Sequence, residues 1–218
     1  MKQRTIVITA AAVLIAVFAA AAQWYGSYQA QQAARRASEN QQSLVRFHAP
    51  SIGNAAARVH IVEFLDPACG TCAAFYPFVK KMMAANPNDI RLSVRYAPFH
   101  EGSDEVVKVL EASRKQGKYW QALEALLASQ PAWVQNHRAN VDMVWPYLAR
   151  AGLDTQQLRG DSQSAETARL ISQDVQDAKT LNVTKTPGYF VNGRPLAPFG
   201  YEQLRTLVDE ELIATSKG

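Results

Sequence analysis

The two cysteines of this 218-residue chain form a single Cys-Gly-Thr-Cys sequence at residues 69–72. The apolar stretch Val59–Leu65 in front of them predicts a buried strand, and the stretch behind them, to about Ala85, predicts a helix. A Cys-x-x-Cys sequence between a strand and a helix is typical of thiol–disulfide chemistry. The fold must therefore turn from a buried strand directly into a helix at the cysteine pair.

The position of the pair at a helix start assigns a different role to each thiol. Cys69 falls at the first turn, where unpaired backbone N–H groups and the helix dipole stabilise an anion. Its pKa is therefore expected to lie below the free value of about 8.5. Cys72 lies one turn further in, and we expect it to be more buried and to resolve mixed disulfides. Gly70 and Thr71 are small and leave the first sulfur open to a substrate.

Three other uses of the cysteines are weaker interpretations. A structural disulfide between them would close too short a loop to stabilise the fold much. A zinc site needs about four ligands, and the sequence has neither a second cysteine pair nor two histidines at H-x3-5-H spacing. A cysteine hydrolase needs one nucleophile and a base, which leaves the second cysteine without a role.

Residues 1–25 predict either an export signal or a membrane anchor. Two basic residues, Lys2 and Arg4, precede an apolar run from Ile6 to Ala22. The run is about as long as a membrane span requires. Trp24 and Tyr25 follow it at the position of an interfacial aromatic belt. These features favour an uncleaved N-terminal anchor that binds the protein to the membrane.

A cleaved signal peptide is the alternative for this segment. Ala20-Ala21-Ala22 offers a small-residue cleavage site, which would release a soluble periplasmic protein after Ala22. In both cases the remainder is expected outside the cytoplasm, in the periplasm or at the cell exterior, where disulfides form and persist.

The rest of the chain predicts a tether and one domain. Residues 26–46 are rich in Gln, Ala, Ser and Arg and are expected to act as a linker, partly helical, before a domain at residues 47–214. The net charge is only +4, and no basic cluster alternates with aromatic residues. Nucleic acid is therefore not an expected partner.

The order of predicted elements defines an α/β topology. After the first strand and helix, alternation predicts a second strand over Ile90–Tyr96, and residues 103–182 are expected to be helical. A third strand over Gly188–Val191 leads into Asn192-Gly193, a strong hairpin signal, and a helix closes the domain at 201–214. The arrangement is βαβ followed by ββα, with a helical insertion of about residues 103–182 between them.

The chain resembles the DsbA-like branch of the thioredoxin superfamily over about residues 47–214. The motifs that carry the resemblance are Val62-Glu63-Phe64 through Asp66 to the cysteine pair, Phe75 and Pro77, Gln116-Gly117-Lys118-Tyr119-Trp120, and Thr186-Pro187-Gly188-Tyr189-Phe190-Val191-Asn192-Gly193. The resemblance implies a thioredoxin-like fold with an inserted helical domain. It also implies an exported thiol:disulfide oxidoreductase that requires no metal or organic cofactor.

The same resemblance implies further site residues. Pro187 matches the family's cis-proline, which packs against the cysteine pair, and the backbone beside it, including Thr186, pairs with the bound peptide. Glu63 lies in the apolar strand below the dithiol. A buried carboxylate there could have a raised pKa and exchange protons with Cys72. The alternative is a glutamate at a strand end that faces solvent.

The direction of electron flow stays open at the level of sequence. Many DsbA-like oxidants have proline directly after the first cysteine and often histidine before the second, where this chain has Gly70 and Thr71. Since hydrogen bonds to the thiolate set the redox poise, the protein could be less oxidising. The expected partners are exported cysteine-containing proteins and a membrane redox partner, either a quinone-linked oxidase or an electron donor. The alternatives are a reductase or isomerase fed by that donor, and a non-catalytic binding module for unfolded chains.

Overall fold

The computed structural model describes residues 2–216, without the side chains of residues 2–7, 9, 10, 12 and 30. The chain begins with one helix, α1 (Lys2–Leu44), which includes the predicted linker as far as Leu44. Within the described residues, no helix combines the length and the apolar character needed to cross a membrane. The predicted anchor segment, residues 1–25, lies partly outside the described residues.

Within residues 2–216, five strands form the central sheet, in the order β1-β3-β2-β6-β7. Their bounds are β1 (Ser51–Gly53), β2 (Val59–Leu65), β3 (Ile90–Tyr96), β6 (Gly188–Val191) and β7 (Arg194–Pro195). The central pair, β2 and β3, is parallel, and the other neighbours are antiparallel. Pro195 lies in the edge strand β7, where a residue without an N–H group is tolerated.

Two helices complete the α/β core. The first, α2 (Gly70–Ala85), connects β2 to β3 and contains Pro77, and the second, α9 (Tyr201–Thr215), follows the hairpin of β6 and β7. This is the predicted βαβ and ββα arrangement, and the predicted α/β fold class is confirmed.

The inserted region between β3 and β6 is largely, but not wholly, helical. Its helices are α3 (Ser103–Ala112), α4 (Tyr119–Ala128), α5 (Gln130–Trp133), α6 (Trp145–Arg150), α7 (Thr155–Ser162) and α8 (Ala165–Thr180). A small hairpin of β4 (Val134–Gln135) and β5 (Arg138–Ala139) interrupts them, which corrects the expectation of helix throughout. Asn136 and His137 adopt positive φ at its turn, a conformation that ends any helix.

The alternation of β2 places Glu63 on the face that carries the cysteine helix. Val59, Ile61 and Leu65 pack in the large core cluster with Cys72 of α2. Val62 and Phe64 instead pack on the opposite face with Leu44 and Phe190. Because strand side chains alternate with a period of two, Glu63 shares the face of Ile61 and Leu65. The carboxylate is thereby directed into the core beneath α2.

The end of α1 is part of the domain rather than a free tether. Leu44 is buried, and the guanidinium of the fully buried Arg95 on β3 donates to the Ser43 and Leu44 carbonyls at 2.7 and 3.0 Å. Arg95 also forms ion pairs with two buried carboxylates of α8, Asp174 and Asp177. The last turn of the helix is therefore joined to the sheet through a buried charged network.

Candidate active site

The loop between β2 and α2 presents the first cysteine at a helix N-terminus. Cys69 is the N-cap residue of α2, with extended backbone angles. Its surface is 6% exposed, whereas that of Cys72, one turn further along, is 0% exposed. Cys69 is less exposed than the sequence analysis expected, although its neighbours Gly70 and Thr71 are exposed. A substrate sulfur can therefore approach Cys69 and not Cys72.

The surroundings of the two thiols drive their pKa values apart. A hydrogen bond from the Cys72 thiol, together with hydrogen bonds from the Thr186 side chain and from the backbone amides of Cys72 and Thr71, lowers the pKa of Cys69 to about 5 against the opposing effect of burial. Burial, and the hydrogen bond to Cys69, raise the pKa of Cys72 well above its usual value. At neutral pH the reduced pair therefore holds a thiolate at Cys69 and a thiol at Cys72.

Glu63 is a fully buried carboxylate below the pair. Neither of its oxygens has a hydrogen-bond partner among the described residues. Burial raises its pKa to about 8; the Tyr189 hydroxyl on the neighbouring strand lowers it in part, although the two groups do not form a hydrogen bond of normal geometry. The negative charge of Cys69 raises it further. The structure places Glu63 in the core and not at a solvent-facing strand end.

A groove runs beside the cysteine pair along the segment that precedes β6. Its volume is about 470 Å³, and its lining includes Thr71, Thr186, Pro187, Leu196 and Phe199. The Thr186–Pro187 peptide bond is cis, and the Thr186 carbonyl oxygen lies 3.2 Å from the Cys69 sulfur. The structure thus brings Thr186 and Pro187 to the reactive thiol from 117 residues along the chain.

The loop that carries Cys69 is organised by Asp66, which the sequence analysis named only within the motif that carries the family resemblance. This buried carboxylate accepts hydrogen bonds from the backbone amides of Ala68, Phe99 and His100 at 2.8–2.9 Å. It also accepts from the His100 ring at 2.7 Å and from the Ser103 hydroxyl. Asp66 therefore connects the cysteine loop to the loop that leads into α3.

A second contact to this loop comes from Gln130 in the inserted region, and no sequence pattern indicated it. Its side-chain amide donates to the Pro67 and Cys69 carbonyls. No local pattern could have revealed it, since the partners are more than 60 residues apart. Across residues 2–216, no three His, Cys, Asp or Glu side chains lie together as a metal site.

The arrangement is suited to thiol–disulfide exchange. The thiolate of Cys69, which keeps some exposed surface, can attack a disulfide, and the same sulfur can be attacked when it is oxidised. The buried thiol of Cys72 can resolve the mixed disulfide, and the Glu63 carboxyl group, with a pKa of about 8, can exchange protons.

Comparison with solved structures finds the same architecture in redox proteins. A thioredoxin-like oxidoreductase from Silicibacter pomeroyi DSS-3 superposes with a TM-score of 0.69 at 30% identity, covering 82% of this chain and 98% of that chain. The thiol-disulfide exchange protein alpha-DsbA2 from Wolbachia pipientis superposes with a TM-score of 0.70 at 19% identity, covering 84% and 97%. The second likeness is one of fold alone.

Sequence comparison finds a curated relative and a matching family model. A Na(+)/H(+) antiporter NhaA from Herminiimonas arsenicoxydans is 28% identical over 140 residues, or 64% of this chain and 22% of that protein. The chain thus spans about a fifth of the length of the curated relatives that it matches. The family model described as Thioredoxin matches residues 46–210. The chain belongs to the thioredoxin family.

Proposed function

We propose that this protein exchanges disulfides with other cysteine-containing proteins through the Cys69–Cys72 pair. The observation that carries the proposal is the placement of the two thiols: Cys69 is the N-cap residue of α2 and keeps some exposed surface, and Cys72 is fully buried one turn further along. This placement lowers the pKa of Cys69 to about 5 and raises that of Cys72. A structural disulfide or a passive binding module does not require an acidic thiol at an accessible helix start.

In the oxidising direction, a substrate thiolate attacks Cys69 Sγ of the enzyme disulfide, and the S–S bond breaks to release the Cys72 thiolate. Glu63 in its protonated form supplies a proton to that thiolate, since the pKa of Cys72 is the higher of the two. A second substrate thiolate then attacks the substrate sulfur of the mixed disulfide, and Cys69 leaves as a thiolate. Two electrons pass from the substrate dithiol to the enzyme disulfide, and the substrate leaves oxidised.

The low pKa of Cys69 favours this direction. A stabilised thiolate lowers the free energy of the reduced enzyme and makes its disulfide a stronger oxidant. Gly70 and Thr71 supply no charged donor, so the effect depends on Cys72, Thr186 and backbone amides. The proposal includes a quinone-linked membrane oxidase that returns the enzyme to its disulfide form. A reductase or isomerase fed by a membrane electron donor is the alternative.

Equilibration with glutathione buffers, read by mass spectrometry after acid trapping, tests both parts of the proposal. We expect a reduction potential nearer to about −120 mV than to about −270 mV. The oxidised protein should also convert a reduced, unfolded client protein to its disulfide form under the same conditions. A potential near about −270 mV would make the protein a reductant. Failure to exchange with any client would remove the catalytic proposal.

We propose that the domain acts outside the cytoplasm and is exported by its N-terminal segment. Basic Lys2 and Arg4 followed by the apolar run to Ala22 support export, and the run length with Trp24 and Tyr25 favours retention as an anchor. Cell fractionation and the mass of the exported form provide the test. A membrane-bound, full-length form is expected; a soluble form that begins at Gln23 would replace the anchor by a cleaved signal, and a cytoplasmic location would exclude both.

A further inference from the structure

One buried amide of the inserted region reaches the loop that carries the reactive cysteine. Gln130 is the first residue of α5 and is 8% exposed. Its side-chain nitrogen donates to the Pro67 carbonyl at 2.7 Å and to the Cys69 carbonyl at 3.1 Å. Both N–H groups of one amide are thus directed at two carbonyls of the same short loop. A buried amide N–H without a partner carries a desolvation cost, and the loop satisfies both donors of this side chain.

The contact with the Pro67 carbonyl acts on the peptide unit between Pro67 and Ala68, which a second hydrogen bond also restrains. The Ala68 N–H, in the same peptide plane as the Pro67 carbonyl, donates to Asp66 Oδ1 at 2.9 Å. Because the peptide unit is planar, hydrogen bonds at its carbonyl and its N–H together determine its orientation. Asp66 and Gln130 therefore hold this unit from opposite sides.

The second contact acts on the start of the helix. The Cys69 carbonyl accepts a hydrogen bond from the Ala73 amide at 3.2 Å, which forms the first turn of α2. Gln130 binds the same oxygen and so orients this turn with respect to the inserted region. The amides of Thr71 and Cys72 in that turn are among the groups that stabilise the Cys69 thiolate.

We propose that Gln130 is a positioning residue for Cys69: by holding the Pro67 and Cys69 carbonyls, it aims the amides of the first turn of α2 at the Cys69 sulfur. This inference rests on the proposed function as a thiol–disulfide enzyme. It gives the inserted region a direct part in thiolate chemistry, in addition to covering the core.

The test replaces the amide by a side chain of similar size that cannot donate. In Gln130→Met, we expect the pKa of Cys69, titrated by thiolate absorbance near 240 nm, to rise by about one unit, a tenfold loss of acidity. The disulfide should become less oxidising by about tenfold in its equilibrium with glutathione, which is about 30 mV for a two-electron couple.

A matched control comes from the same short helix. Trp133 is buried, and its indole N–H donates to the Leu126 carbonyl at 3.1 Å, a hydrogen bond within the inserted region. Trp133→Phe removes this hydrogen bond and should reduce stability while the pKa of Cys69 stays at the parent value. A purely structural role for Gln130 predicts the same behaviour for both variants.

The outcomes separate the inference from the proposed function. A folded Gln130→Met protein with the parent pKa at Cys69 would overturn the inference. If that variant does not fold, Gln130→Asn, which keeps the donors on a side chain one methylene shorter, is titrated instead; a parent-like pKa there overturns the inference as well. The titration requires no client protein, so an inactive parent with an acidic Cys69 would count only against the proposed function.

Discussion

Replacing Cys69 with serine is expected to reduce disulfide exchange by more than about a thousandfold, to the uncatalysed rate, because a hydroxyl group of high pKa cannot replace the thiolate as nucleophile or leaving group. The remaining thiol cannot compensate. Cys72 is fully buried and its pKa is raised, so it is neither reached by a substrate nor ionised near neutral pH. Rates of exchange with a peptide disulfide, followed by mass spectrometry, measure the effect.

Cys72→Ser is the matched variant, since it also removes one thiol from the pair. It should retain the first attack through Cys69 but fail to resolve the mixed disulfide, so substrate adducts accumulate on non-reducing gels. Adducts formed by Cys69→Ser through Cys72 would reverse the two roles.

Replacing Glu63 with glutamine is expected to change how the stability of the reduced protein depends on pH. The folded-state pKa of Glu63 is about 8, above the unfolded value of about 4.3, so between these values the folded state binds the additional proton. Stability from this group is therefore fully present below about pH 4.3 and is lost as the pH rises through 8. Each pH unit in the window costs about 1.4 kcal/mol.

The stability that Cys69 contributes depends on pH in the opposite direction. The folded-state pKa of Cys69 is about 5, below the unfolded value of about 8.5, so its contribution is present above about pH 8.5 and is lost as the pH falls through 5. Between about pH 5 and 8 the two slopes cancel in the parent. His60, with a pKa lowered to about 4 by burial and by Arg91, contributes only below about pH 6.5.

Urea unfolding of the reduced protein between pH 6.5 and 8 measures how the pH dependence of stability differs between the parent and Glu63→Gln. In the parent, the effects of Glu63 and Cys69 cancel, so its free energy of unfolding should change little over that interval. The free energy of unfolding of Glu63→Gln should instead rise by about 2 kcal/mol between pH 6.5 and 8. Glu202→Gln, whose side chain is 75% exposed, should follow the parent. Parallel curves for the parent and Glu63→Gln would show that Glu63 is ionised in the folded protein and carries no proton for Cys72.

The elements nearest to the cysteines follow from the sequence alone. The bounds of β2, β3 and β6 agree with the predicted strands, because each is a short apolar or alternating run between turn residues. The helix Ala165–Thr180, with Ser164 as its cap, lies in the region 103–182 that was predicted to be helical. The hairpin around Asn136 was missed because strands of two residues leave no periodic pattern.

The cysteine pair, its helix-start position and the expected asymmetry of its thiols were visible in the sequence because they depend on residues within one turn of each other. Only the tertiary structure determined what surrounds them. Thr186 and Gln130 both contact Cys69, although they lie 117 and 61 residues from it along the chain. Local periodicity shows which face of an element is buried, but contacts between distant segments depend on how the faces pack. The burial that raises the pKa of Glu63 is such a property: the sequence placed a carboxylate in an apolar strand, and the packed core removed it from water.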